Sequence, residues 1–297
     1  MKTSGIGGQA VMEGVMMKNK DHYALAVRLS DGSIFLEDAH TKDLVQNQFV
    51  RKIPIIRGVI QFIESMTLGI KTLTKSASFF DEEEEEMDPG KTKAALTLAV
   101  VLAVILAIGL FMVLPYGVSL LFSKVIRSVT ALSLLEGGIR LIIFFLYVFG
   151  ISKMNEIKRV FMYHGAEHKC INCIEHGMDL TIENVRASSR LHKRCGTSFL
   201  LIIMMFSILF FALIQFSSPW LRLISRLLLI PIIAGVSYEF LKLAGKRDSF
   251  LINLLSKPGL WMQKLTTGEP DDTMIEVGIK AVDAVFDWKA FVEEQSS

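Results

Sequence analysis

"AALTLAVVLAVILAIGLFMVLPYGVSLLF", residues 94–122, contains no charged side chain. A helix needs ~20 consecutive apolar residues to cross the hydrocarbon core of a bilayer, and this run exceeds that length. Pro115 is expected to bend its far end. Three further runs follow. "IRLIIFFLYVFGI" (139–151) reaches spanning length only when extended back through Leu132, which puts Glu136 and Arg140 one turn apart on a helix. They are expected to pair near the membrane interface. "FLLIIMMFSILFFALIQF" (199–216) is uninterrupted. A tight "SSPW" (217–220) leads into "LRLISRLLLIPIIAGVSYEFL" (221–241). Glu239, late in that run, reads as a residue at the cytoplasmic boundary; inside the bilayer it would have to be paired or functional. The predicted fold class is mainly α: a polytopic membrane protein with about four transmembrane helices and a cytoplasmic α+β region.

Composition agrees. The chain has 297 residues, 51% of them hydrophobic, too apolar for an ordinary soluble domain. A formal net charge of +2 implies no nucleic-acid partner. The start, "MKTSGIGGQAVMEGVMM", lacks the apolar core of a signal peptide, so insertion relies on the internal spans. Between spans one and two the basic residues are Lys124 and Arg127. The 152–198 connection carries Lys153, Lys158, Arg159, Lys169, Arg186, Arg190, Lys193 and Arg194, and Lys242, Lys246 and Arg247 follow the last span. Basic segments stay on the cytoplasmic side. The expected localisation is the cell membrane, multi-pass, with both termini and the 152–198 loop cytoplasmic.

The chain then divides into five stretches. Residues 1–93 form a cytoplasmic N-terminal region, in which "YALAVRLSDGSIFLEDA" (23–39) alternates around Asp31-Gly32 as a hairpin does. "IPIIRGVIQFIESMTLGIKTLTKSASFF" (53–80) is apolar at helical spacing and carries Arg57, Glu64, Lys71 and Lys75. A helix over 57–78 lying in the membrane interface fits it better than a span. The acidic run at 81–86 reads as a solvated linker. Residues 94–151 hold the first two spans, 152–198 a cytoplasmic His/Cys loop, and 199–241 the last two spans. In 242–297, "EPDDTMIEVGIKAVDAVFDWKAFVEE" (269–294) reads as an amphipathic helix capped near Asp271 or Asp272. Trp261 suits an interface anchor.

The loop carries the chemistry. In "YHGAEHKCINCIEH" (163–176), His164 and His168 lie one turn apart with Glu167 between them, giving H-x-x-E-H. On a helix the two imidazoles share a face and can hold one ion, with the carboxylate as base on water that the metal activates. "LHKRCGTSF" (191–199) adds His192 and Cys195. All three cysteines, Cys170, Cys173 and Cys195, fall in this region. A cytoplasmic loop keeps thiols reduced, which favours metal ligation over a disulfide. Two ligand sets are open. Cys170, Cys173, His192 and Cys195 would make a closed structural zinc site. His164, His168 and Cys195, with His192 as a further donor, would leave a position for water. Glu13, in the glycine-rich "SGIGGQAVMEG" (4–14), is a lesser candidate for the same region; that stretch matches no phosphate loop.

Four separated stretches, "GGQAVMEGVMM" (7–17), "YHGAEHK" (163–169), "RCGTSF" (194–199) and "PGLWMQKLTTGEPDD" (258–272), resemble the bacterial YqhQ-like family. These are membrane proteins with a domain of unknown function (1385), usually labelled predicted metal-dependent enzymes. The resemblance spans nearly the whole chain. It implies a metal and an enzyme, without an established reaction. The shared motifs include the positions of His164, Glu167, His168 and Cys195 and omit the Cys170–Cys173 pair, which favours the open site. This chain departs from the resemblance at Lys193, where proline is typical, and at Gly268, where arginine is common. The expectation is a metal-dependent membrane enzyme, hydrolytic, using a divalent transition metal, zinc first, with Glu167 as base. Its partners would be the lipid bilayer and a lipid or membrane-peptide substrate. The alternative is a zinc-stapled membrane scaffold without catalysis. Transport is least supported, because no inverted repeat is evident.

Overall fold

In a computed structural model of the chain, the described residues are 3–80, 89–192, 195–216, 218–244 and 250–296. The acidic run at 81–86, Lys193, Ser217, Lys246 and Arg247 lie outside them. The described residues are mainly helical, with one small antiparallel sheet, and divide into two compact units.

Unit 1 contains residues 1–80, 151–201 and 234–297. Its sheet is a meander of β1 (Gly7–Val11), β2 (Gly14–Asn19), β3 (His22–Arg28) and β4 (Ile34–His40), paired in that order. The β3–β4 hairpin turns at Asp31-Gly32, where Gly32 takes φ +84° and the Asp31 carboxylate accepts from the Ser33 amide. The two earlier turns use Glu13 and Lys20 at positive φ, positions that usually go to glycine or asparagine. Both faces of the sheet are covered. Val15, Met17, Ala24 and Ala26 pack on α5 (Asn155–Glu175) and α10 (Asp272–Val285). Val11, Met16, Tyr23, Leu25 and Val27 face Leu68 of α1 (Ile56–Ser78). Burial on two sides explains the unbroken apolar character of β2 and β3.

Helix α1 packs against the last turns of α8 (Pro219–Ala244) through two glycines. A Cβ on Gly58 would come within 2.7 Å of the Gly235 carbonyl, and one on Gly235 within 2.5 Å of the Ile55 carbonyl. Arg57 closes the contact with a bidentate pair to Glu239, Nε 2.9 Å and Nη2 2.5 Å away. Glu239 is therefore a paired carboxylate. The C-terminal stretch forms two helices, α10 and α11 (Trp288–Ser296), instead of one. Phe286 is extended, and Asp287 accepts from the Ala290 amide to start the second. The Asp271 side chain caps α10, accepting from Met274 N at 3.0 Å.

Unit 2 contains the described residues of 81–150 and 202–233. Helix α2 (Pro89–Ile108) continues through a π-helical turn, Gly109–Val113, into α3 (Leu114–Leu121). Pro115 has no N–H to give the carbonyl of Phe111. That carbonyl accepts from Arg140 Nε at 2.7 Å instead. Arg140 lies on α4 (Val129–Ile151). It donates to Glu136 at 2.7 Å and to Ser207 at 2.8 Å, the latter on α7 (Gly196–Leu213). Arg226 of α8 takes the other Glu136 oxygen at 2.5 Å and stacks over Tyr116. The pair read from sequence is thus a buried triad.

Among the described residues, four helices are long and apolar enough to cross a membrane: Thr97–Leu121, Val129–Ile151, Gly196–Leu213 and Trp220–Ala244. Helix α1 is amphipathic and is not one of them.

Candidate metal centre

The second half of α5 is buried on every side. Gly165 through Glu175 are all inaccessible, although the run includes Glu167, His168, Lys169, Asn172 and Glu175. Gly165 and Gly278 allow this closeness. A Cβ at Gly165 would run into the Gly268 carbonyl, and one at Gly278 would meet the Cys170 sulfur at 2.9 Å. Polar side chains in such a place must find partners, and their partners build the site.

One partner is the segment 188–192, which lies along α5 with its carbonyls turned inward. Lys169 Nζ donates to the Ser188 carbonyl and to that of Arg186, in the preceding short helix α6 (Ile182–Ala187), each at 2.9 Å. Asn172 Nδ2 donates to Ser189 at 2.6 Å and Leu191 at 3.0 Å. Gln263, on α9 (Phe250–Thr266), accepts from the His192 amide at 2.8 Å and donates to its carbonyl at 2.7 Å. The chain thereby arrives at Cys195, which immediately precedes α7.

His164, His168 and Cys195 converge there. Their ligand atoms lie within 4.8 Å of one another, so the group could bind a metal. Each imidazole is oriented by a backbone carbonyl. His164 Nδ1 is 2.8 Å from the Thr266 carbonyl at the end of α9, and His168 Nδ1 is 2.6 Å from that of Arg190. A carbonyl only accepts, so both Nδ1 atoms carry a proton and each ring presents its Nε2 as the atom that can ligate. This is how metal-ligating histidines are held. His164 Nε2 is 3.2 Å from Cys195 Sγ. The sulfur also receives the Thr197 amide at 3.4 Å and lies 3.1 Å from the Thr197 hydroxyl, at the first turn of α7. Burial alone would raise the Cys195 thiol, but the two imidazoles beside it outweigh that and hold it well below its ordinary value. Burial would likewise lower His164; the facing thiolate reverses this and lifts it to about 9. A cation would displace the His164 Nε2 proton, and the resulting set of one thiolate and two neutral nitrogens suits zinc.

Glu167 completes the arrangement. Burial raises its carboxyl, and its Oε2 is 3.9 Å from His164 Nε2. That oxygen is fully buried and has no hydrogen-bond partner among the described residues. A buried carboxylate oxygen without a donor is costly, and a cation or a polarised water between the imidazoles would satisfy it. The residues therefore fit a divalent metal.

The other candidates lie elsewhere. His192 is in contact with Glu175, 3.3 Å from its Oε2, while Glu175 Oε1 accepts from the Ser4 amide and hydroxyl. Cys170 is in the core against α10, its thiol pushed well above the usual range by burial. Cys173 faces the Met178 and Asp179 carbonyls, its thiol pushed up to about 11, mainly by burial. The closed set of Cys170, Cys173, His192 and Cys195 is not assembled. Glu13 is held bidentately by Arg159 at 2.5 Å and faces the Tyr163 hydroxyl. Gly268 donates to the Phe161 carbonyl, and a Cβ there would press within 2.7 Å of Met162. The carbonyls of Arg190 and Thr266, which aim both imidazoles, and the supports Lys169, Asn172 and Gln263 were not legible in the sequence. Lysine and asparagine on an otherwise buried helix were the available signal.

No solved structure matches the chain. The chain is 39% identical to the uncharacterized protein YqhQ of Bacillus subtilis (strain 168), an alignment that covers 97% of this chain and 94% of that protein. A family model described as "Protein of unknown function (DUF1385)" matches residues 53–288, well over half of the sequence. On both counts the chain belongs to this family.

Proposed function

We propose that the protein is a metal-dependent integral membrane hydrolase whose centre lies at the cytoplasmic face of the membrane. The observation that carries the reading is the convergence of two imidazole Nε2 atoms and one cysteine sulfur beside a Glu167 oxygen that has no hydrogen-bond partner among the described residues. In this reading His164, His168 and Cys195 hold a divalent metal, zinc first. The bound metal would supply Lewis-acid activation of water and of a scissile carbonyl or phosphoryl oxygen. Glu167 accepts the proton from the attacking water and returns it to the leaving group. The Thr266 and Arg190 carbonyls keep the imidazoles in the ligating tautomer. The four apolar helices would be the spans, and the excess of basic residues in 152–198 supports a cytoplasmic site.

The test is metal analysis of the purified protein together with its absorption spectrum after cobalt substitution. His164→Ala and His168→Ala are each expected to lose the metal. Cys170→Ser combined with Cys173→Ser is expected to retain it, with the thiolate-to-cobalt band of a single cysteine. Metal loss in that double variant and retention in the histidine variants would point to a structural staple and sink the enzymatic reading.

A further inference from the structure

Gln9, Gln61 and Ser65 line two cavities at once. One, about 480 Å3, runs between α1, strand β1 and residues of α7 and α8, with mostly apolar walls that include Phe62, Met66, Leu73 and Phe199. The other, about 340 Å3, continues over β1 and β2 past Lys18 and Lys20. Of the neighbouring acids, Glu64 and Asp43 pair with Arg51 and Asp21 is exposed beside Lys20, which leaves Lys18 and Lys20 as the charged side chains on this cavity's own wall. The result is one groove, apolar at one end and cationic at the other. It meets the metal centre twice. Gly196, in the apolar wall, directly follows Cys195. Gly8, in the polar wall, lies so near α5 that a Cβ would be 3.2 Å from Glu167 Cγ.

We propose that this groove binds one membrane phospholipid with an anionic headgroup. Its acyl chain would lie between α1 and the start of α7, and its phosphate on Lys18 and Lys20. The inference deepens the hydrolase reading and rests on it only for what happens to the lipid once bound. Three features select this occupant. The apolar cavity has the size of a small-molecule site, and its walls offer few partners to a peptide backbone, which cannot be buried unpaired. The ammonium groups suit a phosphate. The shared residues, Gln9, Gln61 and Ser65, supply amide and hydroxyl groups at the junction, where a glycerophospholipid carries its ester bonds. Helix α1 also exposes Ile56, Ile63, Met66 and Leu73, an apolar face that would open the groove to the bilayer.

The experiment uses the full chain reconstituted in phosphatidylcholine vesicles doped with phosphatidylglycerol bearing a photoactivatable acyl chain. Mass spectrometry is expected to map crosslinks to Phe62, Met66 and Phe199. Ser65 is an exposed wall residue, so Ser65→Phe fills the junction without entering the core and is expected to abolish those crosslinks. Lys18→Gln combined with Lys20→Gln is expected to keep them but to remove the preference for phosphatidylglycerol over an equivalent phosphatidylcholine probe. Crosslinks spread evenly over exposed apolar positions such as Leu106 and Leu146, or insensitive to both variants, would overturn the proposal. So would displacement of the probe by an apolar peptide. His164→Ala is expected to leave the crosslinks unchanged, so a failure of the metal reading and a failure of the groove are separate results.

Discussion

Glu167 has a close steric neighbour in Gly8, and the two make a testable pair. Glu167→Gln preserves shape and removes the base. Metal content and the cobalt spectrum are expected to be unchanged, and loss of metal would make the carboxylate a ligand instead. In the Gly7–Gly8 dipeptide the two residues have opposite surroundings. A Cβ on Gly7 meets nothing within 4 Å, whereas one on Gly8 collides with the Met16 carbonyl and crowds Glu167. Gly8→Ala is therefore expected to cost about 1–3 kcal/mol by overpacking and to lower the melting temperature in detergent. Gly7→Ala should leave it within the error of the measurement. Equal effects would mean that Gly8 does not lie against Met16 of β2 and Glu167 of α5 as described. The H-x-x-E-H spacing was enough to nominate His164, Glu167 and His168, because a helical repeat puts them together. The absence of His192 from the group was not legible. Its side chain is drawn to Glu175, and that contact depends on where residues 188–192 cross α5.

Among the elements, α4 and α8 are joined by charge inside an apolar unit. Glu136 accepts from both Arg140 and Arg226, and each of the three side chains is 5% exposed or less. Removing the shared acid leaves two buried guanidinium groups facing each other. Glu136→Ala is expected to cost about 3–5 kcal/mol, read as a fall in thermal stability or as failure to accumulate. A variant as stable as the parent would show that the triad is not buried. The Glu136–Arg140 pairing follows from spacing along one helix. Arg226 does not, since it comes from a distant segment and only helix packing brings it there. The sheet shows the same division. Asp31-Gly32 announced its hairpin. The turns at Glu13 and Lys20 did not, because their residues are poor at positive φ and are held there by the strands they join.

Across the whole molecule, the predicted orientation can be tested at exposed positions. The native cysteines are unsuited to labelling because all three are buried. Val125 follows the first long apolar helix and is 83% exposed, and Lys289 is exposed on α11. In intact cells an impermeant maleimide is expected to label Val125→Cys and to leave Lys289→Cys unlabelled until the cells are opened. The reverse pattern would invert the orientation and place the candidate metal site outside.

The amino-acid sequence by itself determined the four apolar helices, the Asp31-Gly32 hairpin, the cap of α10 and the helical face shared by His164 and His168. These depend on residues close together in the chain, where composition and spacing act directly. Tertiary structure alone decided that Cys195 joins the histidines while Cys170 and Cys173 are packed in the core. It also decided that Glu239 meets Arg57, that Arg226 completes the triad, and that α10 is a wall of the core beneath the sheet. Each of these outcomes depends on which buried polar group satisfies which other one. That choice is set by the close approach of α5 to β1 and α10, and of α1 to α8, which glycines at 8, 58, 235 and 278 permit.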